Sequence, residues 1–450
     1  AVLDNGAYTS WGATTPSVMM TPISSLYRVD NVYFKATCVY TNNIYCQAMR
    51  GYGTPQATFA VETSMDRLAE AAGIDPADFR SINQNQSGDL TPMKLQITTC
   101  GLDDCIQSVK DKISWREKHG KRNGRGVGMA SLIHVAGGAR VYKSDGHGIR
   151  IKVDDEGHVD VISGGTDQGQ GSSTVLSQII AEELGFRPED ISFTIGDTAL
   201  ALWDAGTHAS RHTFIAGNAA IKACQKVKRQ ILDMAAEQMP RIIQSSLKRK
   251  QRVNPDFQLP DIDFSLFSDP DNLDIQERKV FLKKDPQNPY CSMDASQILK
   301  KGLHVGTGES QTIMAEVFYD PPTQMLDREF KGNYSMTYAF GTTGVEVEVD
   351  KKTGQVKILK LVAAHDVGRA INPTLIKGQI YGAVYTGTGF ALTEEIKSLK
   401  GKVMNPNFRD YNILTAKDTI PVEAVVVELG DADGPYGAKG IGEPGLVPTA

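Results

Sequence analysis

Apolar side chains recur at helical spacing along three stretches of this chain. Residues 58–72, 172–184 and 216–239 carry apolar positions three or four residues apart, which is the spacing that places side chains on one face of an α-helix. We therefore expect three amphipathic helices, and residues 76–79 indicate a turn into a further short helix. In the first helix, the expected buried face consists of Phe59, Val61, Met65, Leu68 and Ala69.

Apolar and polar residues alternate in four shorter segments, as they do along half-buried β-strands. Two segments lie at residues 149–153 and 159–162, and two more at residues 343–350 and 355–364. Residues 351–354 separate the last two segments and predict a turn between paired strands. Helices and strands thus share the chain, and the expected fold class is a mixed α/β (α+β) architecture.

Two stretches show neither the helical spacing of apolar residues nor the alternation that is typical of strands. Residues 110–125 are polar, basic and contain glycine, which favours a linker. Residues 241–303 mix basic residues with Pro, Asp and Asn, and we expect them to form an insertion at the surface.

The composition gives no reason to expect a nucleic-acid-binding or membrane protein, but it does not identify the function. A length of 450 residues allows two or more domains, and a net charge of -5 gives no reason to expect nucleic acid or an anionic membrane as a partner. No apolar run approaches the roughly 18 residues of a membrane helix, and no signal peptide is visible. The six cysteines form no Cys-x-x-Cys pair. They are expected to be reduced, which favours the cytoplasm.

Residues 437–450 form a glycine-rich run in which Glu443 is the only carboxylate. Glycine lets the main chain approach a ligand closely, and Pro444 biases Glu443 towards an extended conformation. A lone acid on such a loop suits a general base that points into a pocket. The alternative is a surface turn with a solvated glutamate.

A second glycine-rich segment, residues 163–171, follows a predicted strand and precedes the helix predicted at residues 172–184. Strand, glycine loop and helix form a layout that holds an anion on backbone N–H groups. Gln168 and Gln170 add amides that both donate and accept hydrogen bonds, which suits a pterin-like ring. The expected cap of the helix is Ser172, Ser173 or Thr174.

Arg50 precedes a Gly-Tyr-Gly turn. A guanidinium in this place could hold a phosphate or a carboxylate through two hydrogen bonds, although a surface ion pair is the commoner fate of an arginine. Among the histidines, His134 is interpreted as a partly buried residue with satisfied hydrogen bonds.

Several of these segments resemble motifs of the molybdopterin-binding large subunit of the xanthine oxidase family, the molybdenum hydroxylases. Residues 47–56 resemble its Arg-Gly-Phe-Gly-x-Pro-Gln segment, and residues 164–171 its Gly-Gly-Thr-Glu-x-Gly-Gln-Gly loop. Further similar segments, in the family's order, are residues 207–211, residues 366–373 with 378–379, and the loop at residues 437–444 that carries the family's catalytic glutamate.

The resemblance implies a set of site residues. Glu443 would be the catalytic base, with a pKa raised by partial burial, and the protein itself would supply no metal ligand. The cofactor-binding residues would be Arg50, Gly51, Gln168, Gly169, Gln170, Gly171, His208, Ala209, Ser210, Arg211, Lys439 and Gly440.

The resemblance also implies an activity, a domain organisation and partners. The activity would be hydroxylation of an aromatic or heteroaromatic carbon with water as the oxygen source. Residues 1–120 would end a first molybdopterin-binding domain, and residues 121–450 would form a second, with the insertion at about 241–303. The cofactor would be molybdenum or tungsten molybdopterin, with the cytosine dinucleotide form open. Electrons would pass to [2Fe–2S] and FAD on partner subunits.

The chain also departs from the family's pattern. It lacks the Gly-Gly-x-Phe-Gly motif of the family's N-terminal portion, so we expect another polypeptide or fragment to supply that half of the molybdenum subunit. Thr386 stands where oxidase-like members have a glutamine that touches the cofactor. Two alternatives therefore stay open: reductive dehydroxylation, as in 4-hydroxybenzoyl-CoA reductase, whose branch resembles residues 135–145, and a non-catalytic cofactor-binding or assembly subunit.

Overall fold

The computed structural model describes residues 1–121, 124–306 and 310–449. Within these ranges the helices, in chain order, are α1 (Thr15–Ser25), α2 (Thr54–Ala72), α3 (Pro76–Asn83), α4 (Leu102–Lys112), α5 (Trp115–Lys118), α6 (Ser172–Leu184), α7 (His212–Val253), α8 (Ala295–Leu303), α9 (Pro373–Leu392) and α10 (Phe408–Tyr411). The mixture of these helices with strands confirms the expected fold class.

The strands, in chain order, are β1 (Val2–Asp4), β2 (Thr37–Val39), β3 (Arg125–Val135), β4 (His147–Val153), β5 (Val159–Ser163), β6 (Ile191–Ile195), β7 (Leu273–Gln276), β8 (Lys279–Leu282), β9 (Ser292–Asp294), β10 (Ile313–Tyr319), β11 (Tyr338–Val349), β12 (Val356–Asp366), β13 (Ser398–Leu399), β14 (Lys402–Val403) and β15 (Val422–Val427). In the described ranges, no helix combines the length and the apolar character that a membrane crossing requires.

The first of two compact units contains Ala1–Asp145, His208–Phe214 and Pro321–Ala450. Its main sheet has the order β15-β12-β11-β3, with β12 and β15 parallel and the other neighbours antiparallel. The pairing of β11 with β12 confirms the predicted strand pair.

Helix α4 packs on this sheet with one apolar face. Leu102, Ile106 and Val109 lie three or four residues apart and are fully buried in the core that the helix shares with β3, β11 and β12. Burial of each such side chain contributes about 1.5–3 kcal/mol. This layer fixes the ends of β3 and β12, next to which the candidate site is built.

The second compact unit contains Gly146–Thr207 and Ile215–Asp320. Its four-stranded sheet has the order β10-β4-β5-β6. β5 and β6 are parallel and α6 connects them, because parallel neighbours need a crossover between them. The predicted strands at 149–153 and 159–162 and the predicted helix at 172–184 are confirmed.

Residues 241–303 form helices and strands of the second unit, and their assignment as an insertion stays a prediction. α7 continues to Val253, and β7, β8 and β9 then form an antiparallel sheet that precedes α8. Phe267, Val280 and Ile298 are fully buried here, so the segment carries apolar core residues among its charged ones.

α2 confirms the first predicted helix, but its buried face differs from the expected one. Met65 is buried, whereas Phe59 is 60% and Leu68 is 54% exposed. The buried face instead includes Glu62, whose carboxylate accepts a hydrogen bond from Arg80 Nε at 2.8 Å. The spacing of apolar residues does not predict this face, because the sequence does not show whether a charged residue such as Glu62 is buried in an ion pair or exposed to solvent.

The predicted linker at residues 110–125 is wrong for its described part. The end of α4 and all of α5 lie in it, and Trp115 is buried with its Nε1 donating to Asp75. Residues 122 and 123 of this prediction, and residue 450 of the glycine-rich run, lie outside the described residues.

The boundary between the two compact units does not lie at residue 120, where the predicted domain boundary lies. One hydrophobic core joins Leu26 and Leu95 from before that point to Ile133 and Phe340 from after it. Side chains from both sides are therefore buried together. The assignment of residues 1–120 and 121–450 to two family domains stays a prediction.

Candidate functional site

The loop that carries Glu443 is held by backbone hydrogen bonds in the first unit. Lys439 N donates to Val367 O at 2.9 Å, and Gly440 N donates to Ala136 O at 2.8 Å. These bonds tie the loop to residues that directly follow β12 and β3. A side chain at Gly440 is excluded, because its Cβ would lie 1.6 Å from Ser210 O.

Lys439 forms an ion pair beneath this loop. Its Nζ lies 2.7 Å from Asp366 Oδ2, and both side chains are fully enclosed. Asp366 also accepts hydrogen bonds from the N–H groups of Gly101 and Gly368. The ammonium of Lys439 is therefore enclosed by its ion pair, and the role of Lys439 in cofactor binding stays a prediction. Gly440, whose N–H is also occupied, serves the packing of the loop.

Three donors surround the carboxylate of Glu443. Oε1 accepts from Ala209 N at 2.8 Å, and Oε2 accepts from Gly51 N at 3.3 Å. His134 Nε2 lies 3.1 Å from Oε2, and the Glu443 side chain is 20% exposed. The predicted base is thus a carboxylate in a fixed orientation with an open side, and the alternative of a freely solvated glutamate does not fit.

The pKa of Glu443 is lowered, contrary to the expected increase. Burial alone would raise it, but the hydrogen bond and charge of His134 and the N–H groups of Gly51 and Ala209 together outweigh burial. Hydrogen bonds to the charged form stabilise that form. The side chain is therefore an ionised carboxylate at neutral pH.

The segment that faces Glu443 has an unusual backbone. Ala209 and Ser210 have φ values of 48° and 53°, in the left-handed region that costs a non-glycine residue roughly 1 kcal/mol or more. This conformation aims Ala209 N at the carboxylate, and Ser210 Oγ accepts from Glu443 N at 2.9 Å. Two strained residues in succession mark a segment whose geometry serves this site.

Arg50 lies near Glu443, but its guanidinium contacts carbonyl oxygens. Nε donates to Gly442 O at 2.6 Å, and Nη2 donates to Gln379 O at 2.9 Å. Burial lowers the pKa of Arg50, an effect that the charge of Glu443 opposes. In the described part of the chain its partners are therefore backbone and amide groups rather than an acid, and it links the segment before α2 to α9 and to the Glu443 loop.

Arg211 also lies in a buried ion pair. It is fully buried, and its Nε lies 2.7 Å from Asp145 Oδ1. The guanidinium is enclosed with its carboxylate partner, and the cofactor-binding role of Arg211 stays a prediction. His208, three positions before it, is half-buried, and its cofactor contact stays a prediction.

The second glycine-rich loop lies in the second unit. Gly171 is the N-cap of α6, so the predicted serine or threonine cap is wrong. The N–H groups of Gly169, Gly171 and Ser173 donate to the carboxylate of Asp167. Any anion here would have to share donors with Asp167.

The side chains of this loop remain accessible. Gln168 and Gly169 are exposed and Gln170 is half-buried. Gln168 Nε2 donates to Thr207 O, and Gln170 Nε2 donates to Thr166 O. Apart from Gly169 and its two chain neighbours, no atom of the described chain lies within 4 Å of the position that a Cβ at Gly169 would take. Amide groups next to open space suit a ring that carries both donors and acceptors.

His365 is buried next to the Glu443 loop. In the described structure neither of its ring nitrogens has a hydrogen-bond partner, and its Nε2 lies 3.5 Å from the position of a Cβ at Gly445. Burial, assisted by the charge of Arg50, lowers the pKa of His365 from 6.5 to about 4. The ring is therefore neutral at pH 7.

This histidine predicts acid-sensitive stability. Between pH 6.5 and about 4 the unfolded chain binds a proton that the folded chain does not, so stability is full above pH 6.5 and falls as the pH decreases. At pH 5 the loss should be about 2 kcal/mol. His365→Leu should remove this part of the slope in urea unfolding, whereas His304→Gln, at an exposed position, should keep it. An unchanged slope in His365→Leu would contradict the assignment.

No cluster of three or more His, Cys, Asp or Glu side chains in residues 1–121, 124–306 and 310–449 is placed to hold a metal ion.

Family comparison gives a consistent match along the chain. Residues 1–84 match one model described as a molybdopterin cofactor-binding domain, and residues 107–255 and 259–420 match a second with the same description. These regions contain Arg50, His134 and the loop at residues 164–171.

Individual relatives have similar names. The chain is 31% identical to the xanthine dehydrogenase molybdenum-binding subunit of Escherichia coli O157:H7, over 100% of this chain and 56% of that subunit. It is 30% identical to the 6-hydroxypseudooxynicotine dehydrogenase complex subunit gamma of Paenarthrobacter nicotinovorans, over 94% and 50%. The chain thus spans about half the length of these curated relatives.

The fold is shared with a solved structure. Reconstituted CO dehydrogenase from Oligotropha carboxidovorans matches with a TM-score of 0.82 at 23% identity, over 100% of this chain and 54% of that chain.

Proposed function

This chain belongs to the xanthine oxidase family of molybdopterin-binding oxidoreductases, and on that premise we propose that it is part of a hydroxylase acting on an aromatic or heteroaromatic carbon, with water as the oxygen source. The observation that carries the proposal is the arrangement at Glu443. A carboxylate held by Gly51, Ala209 and His134 is oriented and ionised before substrate binds. These are the properties of a general base.

The geometry also indicates which oxygen of Glu443 accepts the proton. A carboxylate has about four lone-pair positions, two on each oxygen. Oε2 is in contact with both Gly51 N and His134 Nε2, whereas Oε1 accepts from Ala209 N alone among the described residues. Oε1 therefore keeps capacity for another hydrogen, and we assign proton acceptance to it.

The cofactor would be molybdopterin, whose bound metal centre supplies the two-electron redox step. Gln168 has an exposed amide, Gln170 a half-buried one, and Gly169 lies next to open space, which together fit such a group. In this proposal Gln168, Gly169, Gln170 and Gly171 of the second unit bind the cofactor. The cofactor contacts that the family resemblance implies for His208, Ala209 and Ser210 stay a prediction. Arg50 and Gly51 act from the protein side by placing Gly442 and Glu443.

Electron transfer requires further groups. Two relatives are named as subunits of larger assemblies. We propose that [2Fe–2S] clusters and FAD on partner subunits take the electrons, and that the assembly is cytoplasmic.

The test uses the protein that contains this chain, purified anaerobically with its partners. Molybdenum near one per complex and reduction of a dye acceptor by xanthine or quinoline are expected, with oxygen from 18O-labelled water in the product. Dehydroxylation of 4-hydroxybenzoyl-CoA with a reduced dye, and no hydroxylation, would favour the reductase alternative. Absence of molybdenum and tungsten would favour a non-catalytic subunit.

A further inference from the structure

The hydrogen bonds of His134 restrict its protonation state. His134 lies on β3 and is 2% exposed. Its Nδ1 lies 2.8 Å from Val135 O, and its Nε2 lies 3.1 Å from Glu443 Oε2. A carbonyl oxygen only accepts hydrogen bonds, so Nδ1 must carry a hydrogen. A neutral imidazole has one N–H, and its Nε2 would then present a lone pair to the carboxylate.

The contact with Glu443 is therefore favourable only if one further proton lies between the two side chains. This proton could reside on Nε2 or on Oε2. Gly51 N and Ala209 N both donate to the carboxylate, and such bonds stabilise its anionic form. The balance places the proton on Nε2.

We propose that the His134 ring carries hydrogens on both nitrogens while it is paired with the Glu443 carboxylate, and that it is a positioning residue for that base. The pair then holds one proton at rest. When Oε1 accepts a proton from the reacting group, the pair holds two, and release of one proton to solvent restores the resting state. The part of this proposal that concerns turnover rests on the proposed function, whereas the protonation state does not.

The other charged and titratable groups near this pair are consistent with the assignment. Arg50 binds the carbonyl of Gly442 and so keeps a positive charge close to Glu443. His365 lies on β12 and close to Gly445. It is neutral at pH 7 because burial lowers its pKa to about 4. His208 precedes Ala209 and interacts electrostatically with Asp145. The hydrogen-bonded partner of the Glu443 carboxylate among these residues is His134.

The first test is nitrogen NMR of the purified protein labelled with [15N]histidine at pH 7.5. We expect the signal that disappears in His134→Gln to be that of a ring with hydrogens on both nitrogens. It should change to a single N–H in Glu443→Gln, because the neutral amide no longer stabilises the imidazolium. A His134 ring with one N–H in the wild type would overturn the proposal. This measurement needs no turnover, so it stays informative if the proposed function fails.

The second test separates the charge of His134 from its shape. His134→Gln keeps an N–H donor near Glu443 but removes the positive charge. The pKa of Glu443 should then rise, and the acid limb of kcat/KM should move to higher pH by about one unit. His158→Gln, at an exposed position, is the matched control and should leave the limb in place.

A purely structural His134 would lower kcat/KM by a constant factor at every pH. A superimposable pH profile in His134→Gln would therefore overturn the positioning role. If His134→Gln does not fold, Glu443→Gln still decides the protonation state by the NMR signal.

Discussion

Replacing Glu443 by glutamine should lower turnover by at least about a hundredfold, the low end of the contribution of a general base, while the fold and the cofactor content stay unchanged. Glutamine has nearly the same shape, and its amide oxygen can still accept from Ala209 N. It cannot accept a proton at Oε1. The measurement is turnover with a dye acceptor, together with molybdenum and pterin content.

The matched control for this variant is Glu395→Gln, because the Glu395 side chain is 71% exposed and pairs only loosely with Lys397 at 3.8 Å. It should keep full turnover. If Glu443→Gln retains more than about a tenth of the wild-type rate, Glu443 is not the base that the general-base mechanism needs.

Replacing Lys439 by methionine should destabilise the protein by about 3–5 kcal/mol, the usual cost of removing one partner of a buried ion pair. Asp366 would remain enclosed with a charge that only the N–H groups of Gly101 and Gly368 then balance. The free energy of unfolding in urea measures the effect. Because Lys439 lies four positions before Glu443 in the loop, turnover should fall as well.

Two further variants sharpen this measurement. Lys397→Met removes an exposed lysine of the same unit and should cost little, since surface ion pairs contribute about 0–1 kcal/mol. Adding Asp366→Asn to Lys439→Met should recover part of the lost stability by removing the unpaired charge. A loss below about 1 kcal/mol in Lys439→Met would show that the pair does not hold the loop.

The sequence was informative wherever local chemistry decides the structure. Alternation at residues 343–350 and 355–364 gave the paired strands β11 and β12. The glycines around Glu443 indicated a close approach of the backbone, and Gly440 indeed packs against Ser210 without room for a side chain. These features depend on short-range sterics, which a single sequence records.

Ion pairs between residues far apart in the chain could not be predicted from the sequence. Lys439 and Arg211 stand next to functional segments and were expected to bind a ligand. Their partners, Asp366 and Asp145, lie 73 and 66 positions away. Nothing local distinguishes a basic residue in such a buried pair from one that faces a cofactor.

The same limit explains His134 and the pKa of Glu443. A single histidine in an apolar strand has the pattern of a core residue, and only the fold brings its Nε2 to the carboxylate. Burial of Glu443 was foreseen, but the donors that reverse its effect on the pKa come from Gly51, Ala209 and His134. These three residues occupy separate parts of the chain.

The distance along the chain between the partners of Glu443 also sets the order of events during synthesis. Gly51 and Glu443 are 392 positions apart, and a ribosome that adds about 5–20 residues per second needs roughly 20 to 80 seconds to pass from one to the other. During that interval the nascent chain has Gly51, and then His134 and Ala209, but no carboxylate for them to bind. The Glu443 carboxylate therefore becomes oriented only after its loop has left the ribosome, and a nascent chain stalled before that point cannot form these hydrogen bonds.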